Sequence, residues 1–389
     1  MFRYLTMVIA IAVFFGVTNV SADSGEIRKI ESLEYRGLGG VDLTLDSRIL
    51  SNVISSTEGW KFSVFNLDVI GNWTESDDAI DLYSDMFNAG NSLAAIIAVN
   101  KRPTMNFGLR ARVEPFRISW GTKKIGRLTV GAYNENDVVI HNAPLDTSPL
   151  PVVHDGINSY VDFSGTPDIA AIAIRSDIGG LIGYTRMFEL PLGIELSAGV
   201  QGRVMHRWLS PKTAVRFNGH LGLATFENAL QTPDFNCLSG IGFAVDLSST
   251  VAFHDPILDA RLAVTAENFG TVWYNGDSQS ENPRFSVGTV VTPLHVLGKD
   301  SWKLGTDFEN LQDGLTWQIG TLYTLGNDKF SISPQFGYIH GENDMFFRAN
   351  DFITAGLSAN LRGFHLRAVY EYNLTFDLHN VGFGLEMTF

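Results

Sequence analysis

Nine histidines and a set of acidic side chains are the residues of this chain that could catalyse a reaction or bind a metal. A hydrolase nucleophile elbow requires Gly-x-Ser-x-Gly and a zinc protease requires His-Glu-x-x-His, and neither motif occurs in the sequence. The acid-rich run 134–137 could hold calcium, but it lacks EF-hand spacing and is interpreted as a solvated loop. The sequence therefore predicts no enzyme, no metal site and no cofactor.

The last ten residues, 380–389, show a pattern that is typical of a membrane strand. Apolar residues alternate with small or polar ones, and the chain ends on Phe389. Because side chains alternate between the two faces of a strand, one face is apolar throughout. A terminal aromatic residue on such a strand resembles the signature that the assembly machinery of bacterial outer-membrane β-barrels reads, so Phe389 is the predicted assembly signal.

The same alternation recurs in the segments 194–205, 258–267, 302–309, 329–338, 353–362 and 364–373. In each of the last five, no charged residue falls on the apolar face, as exposure to lipid requires, since a midplane charge costs roughly 2–4 kcal/mol. The opposite face is predicted to line a lumen, and its candidate residues are Gln201, Arg203, Asp259, Arg261, Glu267, Asp307, Glu309, His365, Arg367 and Glu371. His365 is interpreted as a solvated lumen histidine rather than a catalytic one.

The connections predict the orientation of the strands. If the last strand descends to the periplasm, Arg362-Gly363 and 325–328 are short periplasmic turns, whereas 340–351 and 271–283 are long outer loops. Short periplasmic turns and longer outer loops are the rule in such barrels. Pro334 conflicts with a closed barrel because it cannot donate to the strand ladder, so a bulge is expected there.

The first half of the sequence is less regular. A hairpin of 169–188 with 194–205 is predicted to turn at 190–192, and another strand at 105–113. The stretches 45–56 and 77–100 have mixed apolar spacings of three and four and are interpreted as short helices. The predicted fold is an all-β transmembrane antiparallel barrel of about 14 strands, within a range of 12–16. It carries an N-terminal, partly helical plug and a helical insertion near 77–100.

The N-terminus resembles a secretory signal peptide. Arg3 precedes the uncharged run 7–17, and small residues around Ala22 offer a cleavage site. That run is shorter than the about 20 residues that a spanning helix needs. The single Cys237 excludes an intramolecular disulfide, and a net charge of −14 disfavours nucleic acid as a partner. The expected location is the bacterial outer membrane, with its lipid and the barrel assembly machinery as partners.

Three segments carry a resemblance to a known family. The opening Tyr35–Val41, and the pair 240–247 and 263–270, are similar to the Gly-rich start and the paired middle strands of FadL-like outer-membrane barrels, which include TraF-like and PorV-like proteins. The resemblance implies that residues 23–58 form an inward-folded hatch before a barrel at 59–389. Its candidate residues are Gly37, Gly39, Gly40, Asp46 and Arg48. The Asn-Pro-Ala that usually follows the glycine block is absent, and Ser51-Asn52-Val53 stands there instead.

Three functions are consistent with these patterns. The main hypothesis, which the resemblance implies, is a channel or transporter for small hydrophobic ligands. The alternatives are a general diffusion porin and a non-transporting structural or secretion-system subunit. The sequence leaves the ligand, any protein partner and the oligomeric state open.

Overall fold

A computed structural model describes most of the chain beyond residue 58. The described ranges are 59–74, 105–122, 124–142, 152–155, 158–162, 170–215, 220–221, 237–254, 258–275, 277–281, 283–293, 302–309, 315–327, 329–342, 350–374 and 378–389. The predicted signal peptide, the hatch at 23–58 with its glycines, and the insertion at 77–100 lie outside these residues.

Fourteen long strands form one antiparallel sheet. Their bounds are β1 Gly59–Thr74, β2 Met105–Thr122, β3 Gly126–Asn142, β4 Ala170–Leu190, β5 Ile194–Val215, β6 Leu238–His254, β7 Leu258–Tyr274, β8 Arg284–Pro293, β9 Trp302–Glu309, β10 Thr316–Tyr323 (extended by Leu325–Asn327), β11 Phe330–Glu342, β12 Asn350–Leu361, β13 Phe364–Asn373 and β14 Leu378–Thr388. The predicted strand number of about 14 is confirmed. Among the described residues, no helix is long and apolar enough to cross a bilayer.

The sheet closes on itself because the first strand pairs with the last. Ser63 pairs with Thr388 and Trp73 with His379 in one antiparallel ladder between β1 and β14. The backbone of Phe389 continues this ladder, since its N–H donates to Phe62 O at 2.8 Å and its carbonyl accepts from Phe62 N at 3.1 Å. A closed ladder leaves no open edge, which is the condition for a sheet to span a membrane.

We expect deletion of Phe389 to lower the yield of folded barrel. The deletion removes the two backbone hydrogen bonds that end the closing ladder, together with a side chain that is 72% exposed on the outside. Folded and unfolded protein are separated by gel migration before and after boiling. The matched control is Phe389→Leu, which keeps both backbone bonds and an apolar terminus. Equal folded yields for the deletion and the full chain would contradict a role of this residue in closure.

The two ends of the barrel differ in the length of their connections. At one end, which we call the turn end, strands are joined through 123–125, 191–193, 255–257, 294–301, 328–329 and 362–363. At the other end, the loop end, the joining segments include 75–104, 143–169 and 216–237, and the last two contain a small sheet of Val152–Asp155, Asn158–Asp162 and His220–Leu221. The three longest connections thus lie at one end, as predicted for the outer side, although the loop-end connections 310–315, 343–349 and 374–377 are no longer than the turn-end segment 294–301.

The exterior of the barrel is apolar between two aromatic belts. Ile182, Val204, Phe336 and Leu357 are between 49% and 63% exposed and lie between the strand ends. The belt near the turn end contains Trp60, Trp120, Tyr184, Trp302 and Phe364, and the belt near the loop end contains Trp208, Trp273, Trp317, Tyr338 and Tyr372. An apolar band flanked by aromatic belts is the exterior of a transmembrane barrel.

Five bulges interrupt the alternation within the described strands. The register shifts between Val64 and Leu67 in β1, Val113 and Phe116 in β2, Ser210 and Thr213 in β5, Ala266 and Phe269 in β7, and Ile339 and Glu342 in β11. Phe65 and Asn268 have positive φ angles of 57° and 64° at two of them. Each bulge adds a residue to one strand, so the inward and outward positions exchange beyond it.

The structure corrects three local predictions. Pro334 pairs with Leu357 without a bulge, and the β10 ladder is interrupted at Thr324 instead, where proline offers no N–H to the neighbouring strand. The predicted turn 325–328 is shorter, because Leu325–Asn327 still pairs with β11. The predicted outer loop 271–283 contains a hairpin in which Tyr274 pairs with Asp277. The intervening Asn-Gly favours the type I′ turn that such hairpins use.

The run 134–137 is the fourth correction, since it is part of β3 rather than a solvated loop. Glu135 and Asp137 are 6% and 3% exposed and face the interior. Asn134 and Asn136 alternate with them on the exterior, where Asn136 Nδ2 donates to Asn134 Oδ1 at 2.5 Å. The alternation therefore separates the two acids, which are ion-paired inside, from the two amides.

Candidate functional site: the barrel interior

The ten predicted lumen residues all lie on the face opposite the apolar exterior, and they differ in how far their side chains are buried. Gln201, Arg203, Asp307, Arg367 and Glu371 are buried, at 4%, 7%, 0%, 2% and 0% exposure. The other five, Asp259, Arg261, Glu267, Glu309 and His365, are half-buried. Their role as the lining of a transport path stays a prediction.

Charged residues on this face form one row that runs around the wall from β13 to β5. Following the paired residues from strand to strand gives Arg367, Gly384, Asp68, Arg112, Glu135, Asp177 and Arg207. Of these, only Arg367 was predicted from the sequence. The row crosses the β14–β1 junction, so ion pairs contribute to the closure of the barrel.

Arg367 anchors the row at the junction. Its Nη1 lies 3.0 Å from Asp68 Oδ1 and its Nη2 lies 2.9 Å from Glu386 Oε2. In this row Gly384 on β14 lies between Arg367 on β13 and Asp68 on β1. A Cβ atom at Gly384 would collide with the Asp68 carboxylate. The absence of a side chain at Gly384 therefore allows Arg367 to reach across β14 to β1.

Further arginines of the row are paired in the same way. Arg207 binds both carboxylate oxygens of Asp177, at 2.7 and 2.8 Å, and also contacts Glu281. Arg112 pairs with Glu135 at 3.2 Å and with Glu114. These are buried charges, whose desolvation is offset only by good partner geometry.

A second ionic cluster contains two of the predicted residues. Arg203 on β5 contacts Asp246 on β6 through Nε at 2.9 Å and Nη2 at 3.0 Å, and donates to Asn268 Oδ1 at 2.6 Å. Gln201 donates to the same Asp246 carboxylate at 3.4 Å. The bulge in β7 places the backbone N–H of Asn268 2.8 Å from Asp246 Oδ1. Of the other predicted residues, Asp259 and Arg261 lie 3.9 Å from each other, and Glu371 Oε2 accepts from Asn380 Nδ2 at 2.7 Å.

An apolar strip on the interior was not predicted. It consists of Tyr133, Leu181, Met205, Ala244, Val272 and Tyr274 on β3 to β7, all of which are buried, and Leu209 packs against it. Tyr133, Met205 and Val272 alternate with Gly179 and Gly242 in one row of paired residues. The glycines leave room for the large side chains to lie flat against the neighbouring strands, because a Cβ at Gly179 would come within 3.0 Å of the Tyr133 ring.

In the described part of the chain, no group of three His, Cys, Asp or Glu residues is arranged to hold a metal ion. Cys237 is exposed. The geometry of the interior thus consists of ion-paired wall residues beside an apolar strip.

No family model and no curated protein matches the chain. Solved structures that are similar include the P. putida toluene transporter TodX, with 12% identity over 91% of this chain and 96% of TodX and a TM-score of 0.42. Another is the translocator domain of the autotransporter NalP from Neisseria meningitidis, with 10% identity over 88% of this chain and 93% of that one and a TM-score of 0.38.

TodX is a hydrocarbon channel of the FadL family, the family that the sequence resembles. The strand pairing and the exterior surface described above define the chain as a transmembrane antiparallel β-barrel of 14 strands, the architecture of outer-membrane proteins.

Proposed function

We propose that the protein is a channel in the bacterial outer membrane that passes small hydrophobic molecules. The observation that supports it is the apolar strip inside a barrel whose other described interior face is largely polar. Ligand sites are mostly apolar with a few placed polar groups, and the strip lies between the ionic clusters of Arg203 and Arg207. The strip therefore offers the chemistry that a hydrophobic solute needs.

The ion pairs support this proposal over a general diffusion porin. A porin that selects ions by charge needs rows of acids and bases that face each other across water. In this barrel Arg203, Arg207 and Arg367 are each neutralised by a carboxylate within the wall, at 2.9, 2.7 and 3.0 Å. Paired charges produce a weaker field in the lumen than separated ones.

The proposal is tested by uptake of N-phenyl-1-naphthylamine, a hydrophobic dye that an intact outer leaflet excludes. Cells that express the barrel should take up the dye faster than cells without it. The variant Met205→Gln, which places an amide in the strip, should lower that uptake severalfold. Its matched control is Leu322→Gln, at a buried interior position on β10 outside the strip. Uptake that is the same with and without the barrel would reject the channel.

Conductance provides a separate prediction for the predicted hatch. If residues 23–58 limit the path, the full-length protein in a planar bilayer should show small or unstable conductance, and removal of 23–58 should increase it clearly. The signal region is retained in both forms, and their gel migration before and after boiling controls for folding. Large, steady, ion-selective conductance of the full-length protein would favour the porin instead.

A further inference from the structure

Hydroxyl side chains form a second row on the interior of the same strands, nearer the turn end than the apolar strip. Thr185 on β4, Ser248 on β6, Thr265 on β7 and Ser286 on β8 follow each other in register, with Gly199 of β5 between the first two. All four hydroxyl residues are at most 7% exposed. We call them the hydroxyl row.

Several of these hydroxyl groups have no hydrogen-bond partner within the described part of the chain. This holds for Thr185 Oγ1, Ser248 Oγ and Thr265 Oγ1, for Thr250 Oγ1 beside the row, and for the Tyr133 hydroxyl within the apolar strip. A buried polar group without a partner costs about 1–3 kcal/mol, so buried hydroxyls are rarely left without one. The five groups line the interior from β3 to β7, so they are available to hydrogen-bond water or a solute on this part of the wall.

The charges between the strip and the hydroxyl row restrict what that solute can be. Arg203 and Asp246 lie between them and bind each other at 2.9 Å. A carboxylate ligand would have to compete with Asp246 for Arg203, and an ammonium ligand would have to compete with Arg203 for Asp246. Neither exchange is favourable in a buried site, because it leaves one charge uncompensated.

The spacing fits a molecule with two chemically different ends. Leu181 of the strip and Thr185 of the hydroxyl row lie four positions apart on β4, which corresponds to about 13 Å along a strand. The Tyr133 hydroxyl provides a nearer donor inside the strip itself. A solute on this wall can thus keep its apolar body on the strip while an oxygen exchanges hydrogen bonds.

We propose that this side of the interior selects small uncharged molecules that combine an apolar body with a hydroxyl or carbonyl oxygen, in preference to pure hydrocarbons and to carboxylates. This inference rests on the proposed channel function and specifies its ligand class. Thr185, Thr265 and Tyr133 are then specificity-determining residues, because they supply hydrogen bonds that a hydrocarbon cannot use.

Equilibrium dialysis of the full-length protein in nanodiscs, corrected for empty nanodiscs, tests the proposal with three probes of one ring system: 2-naphthol, naphthalene and 2-naphthoate. 2-Naphthol should bind most tightly. The double variant Tyr133→Phe/Thr265→Val should lose roughly 3- to 10-fold in 2-naphthol affinity, the equivalent of one typical hydrogen bond, and keep its affinity for naphthalene. The matched control Thr289→Val removes a hydroxyl from an outward position on β8 and should change neither.

Two results would overturn the inference: naphthalene or 2-naphthoate binding as tightly as 2-naphthol, or a double variant that retains the preference for 2-naphthol. Gel migration before and after boiling confirms that each variant is folded. If dye uptake by cells persists without a preference for 2-naphthol, only the ligand class is wrong. If dye uptake is absent, the channel function itself is wrong.

Discussion

Replacing Arg367 by methionine is expected to destabilise the barrel by roughly 3–5 kcal/mol, the cost of leaving a buried charge without its partner. Asp68 is 3% exposed and lies on the first strand, and Glu386 lies on the last, so the variant leaves two carboxylates together at the junction. The urea concentration at half-unfolding in lipid vesicles measures the loss. Folded yield on gels without boiling should fall as well.

The matched control for this prediction is Arg362→Met. Arg362 lies in the turn between β12 and β13, is exposed, and stacks its guanidinium 5.1 Å from the centre of the Phe330 ring. Exposed cation–π contacts contribute about 0.5–1 kcal/mol, so its effect should be several times smaller. The double variant Arg367→Met/Asp68→Asn should recover part of the loss, because it removes one uncompensated charge. Equal effects of R367M and R362M would show that the junction does not depend on this ion pair.

A lysine at Leu357 is expected to destabilise the barrel by roughly 2–4 kcal/mol, the cost of a cation near the bilayer midplane. Leu357 is 49% exposed on the outside and lies in the middle of β12. The physical cause is the transfer of an ammonium group into hydrocarbon. Urea unfolding in lipid vesicles gives the free energy of unfolding.

The control is the neighbouring residue, Ser358→Lys, because adjacent residues of a strand face opposite sides. Ser358 is half-buried in the interior opposite Arg367, whose charge is already offset by Asp68 and Glu386. The lysine should therefore be tolerated there with a small loss. If both lysines have the same effect, the assignment of inside and outside is wrong.

The regular part of the barrel follows from the amino-acid sequence. From β9 to β14, alternation of single residues such as Phe383 and Leu385 with Gly382 and Gly384 correctly predicts which face is exposed. This is possible because a strand with one face in lipid allows only one placement of its apolar residues. The strand number near 14 and the asymmetry of the connections follow from the same pattern and from the spacing of turns.

Where a bulge interrupts a strand, the sequence pattern alone did not predict the interior. In β2 and β7 the outward apolar residues skip from Val113 to Phe116 and from Ala266 to Phe269, whereas in β1 the adjacent Val64 and Phe65 are both exposed. A step of three between two alternating runs is a usable signal for a bulge in β2 and β7, and two adjacent apolar residues between such runs are the corresponding signal in β1.

Only the tertiary structure determined which charged and apolar residues meet. Arg367 reaches Asp68 across Gly384 because the first and last strands are neighbours in the closed barrel, although 299 positions separate the two residues. The apolar strip could likewise not be predicted from the sequence pattern, because Leu181 and Met205 face inward from strands whose outward residues are also apolar. Periodicity identifies the face of a strand on which a residue lies, but the contacts between strands depend on register and closure, which are properties of the whole barrel.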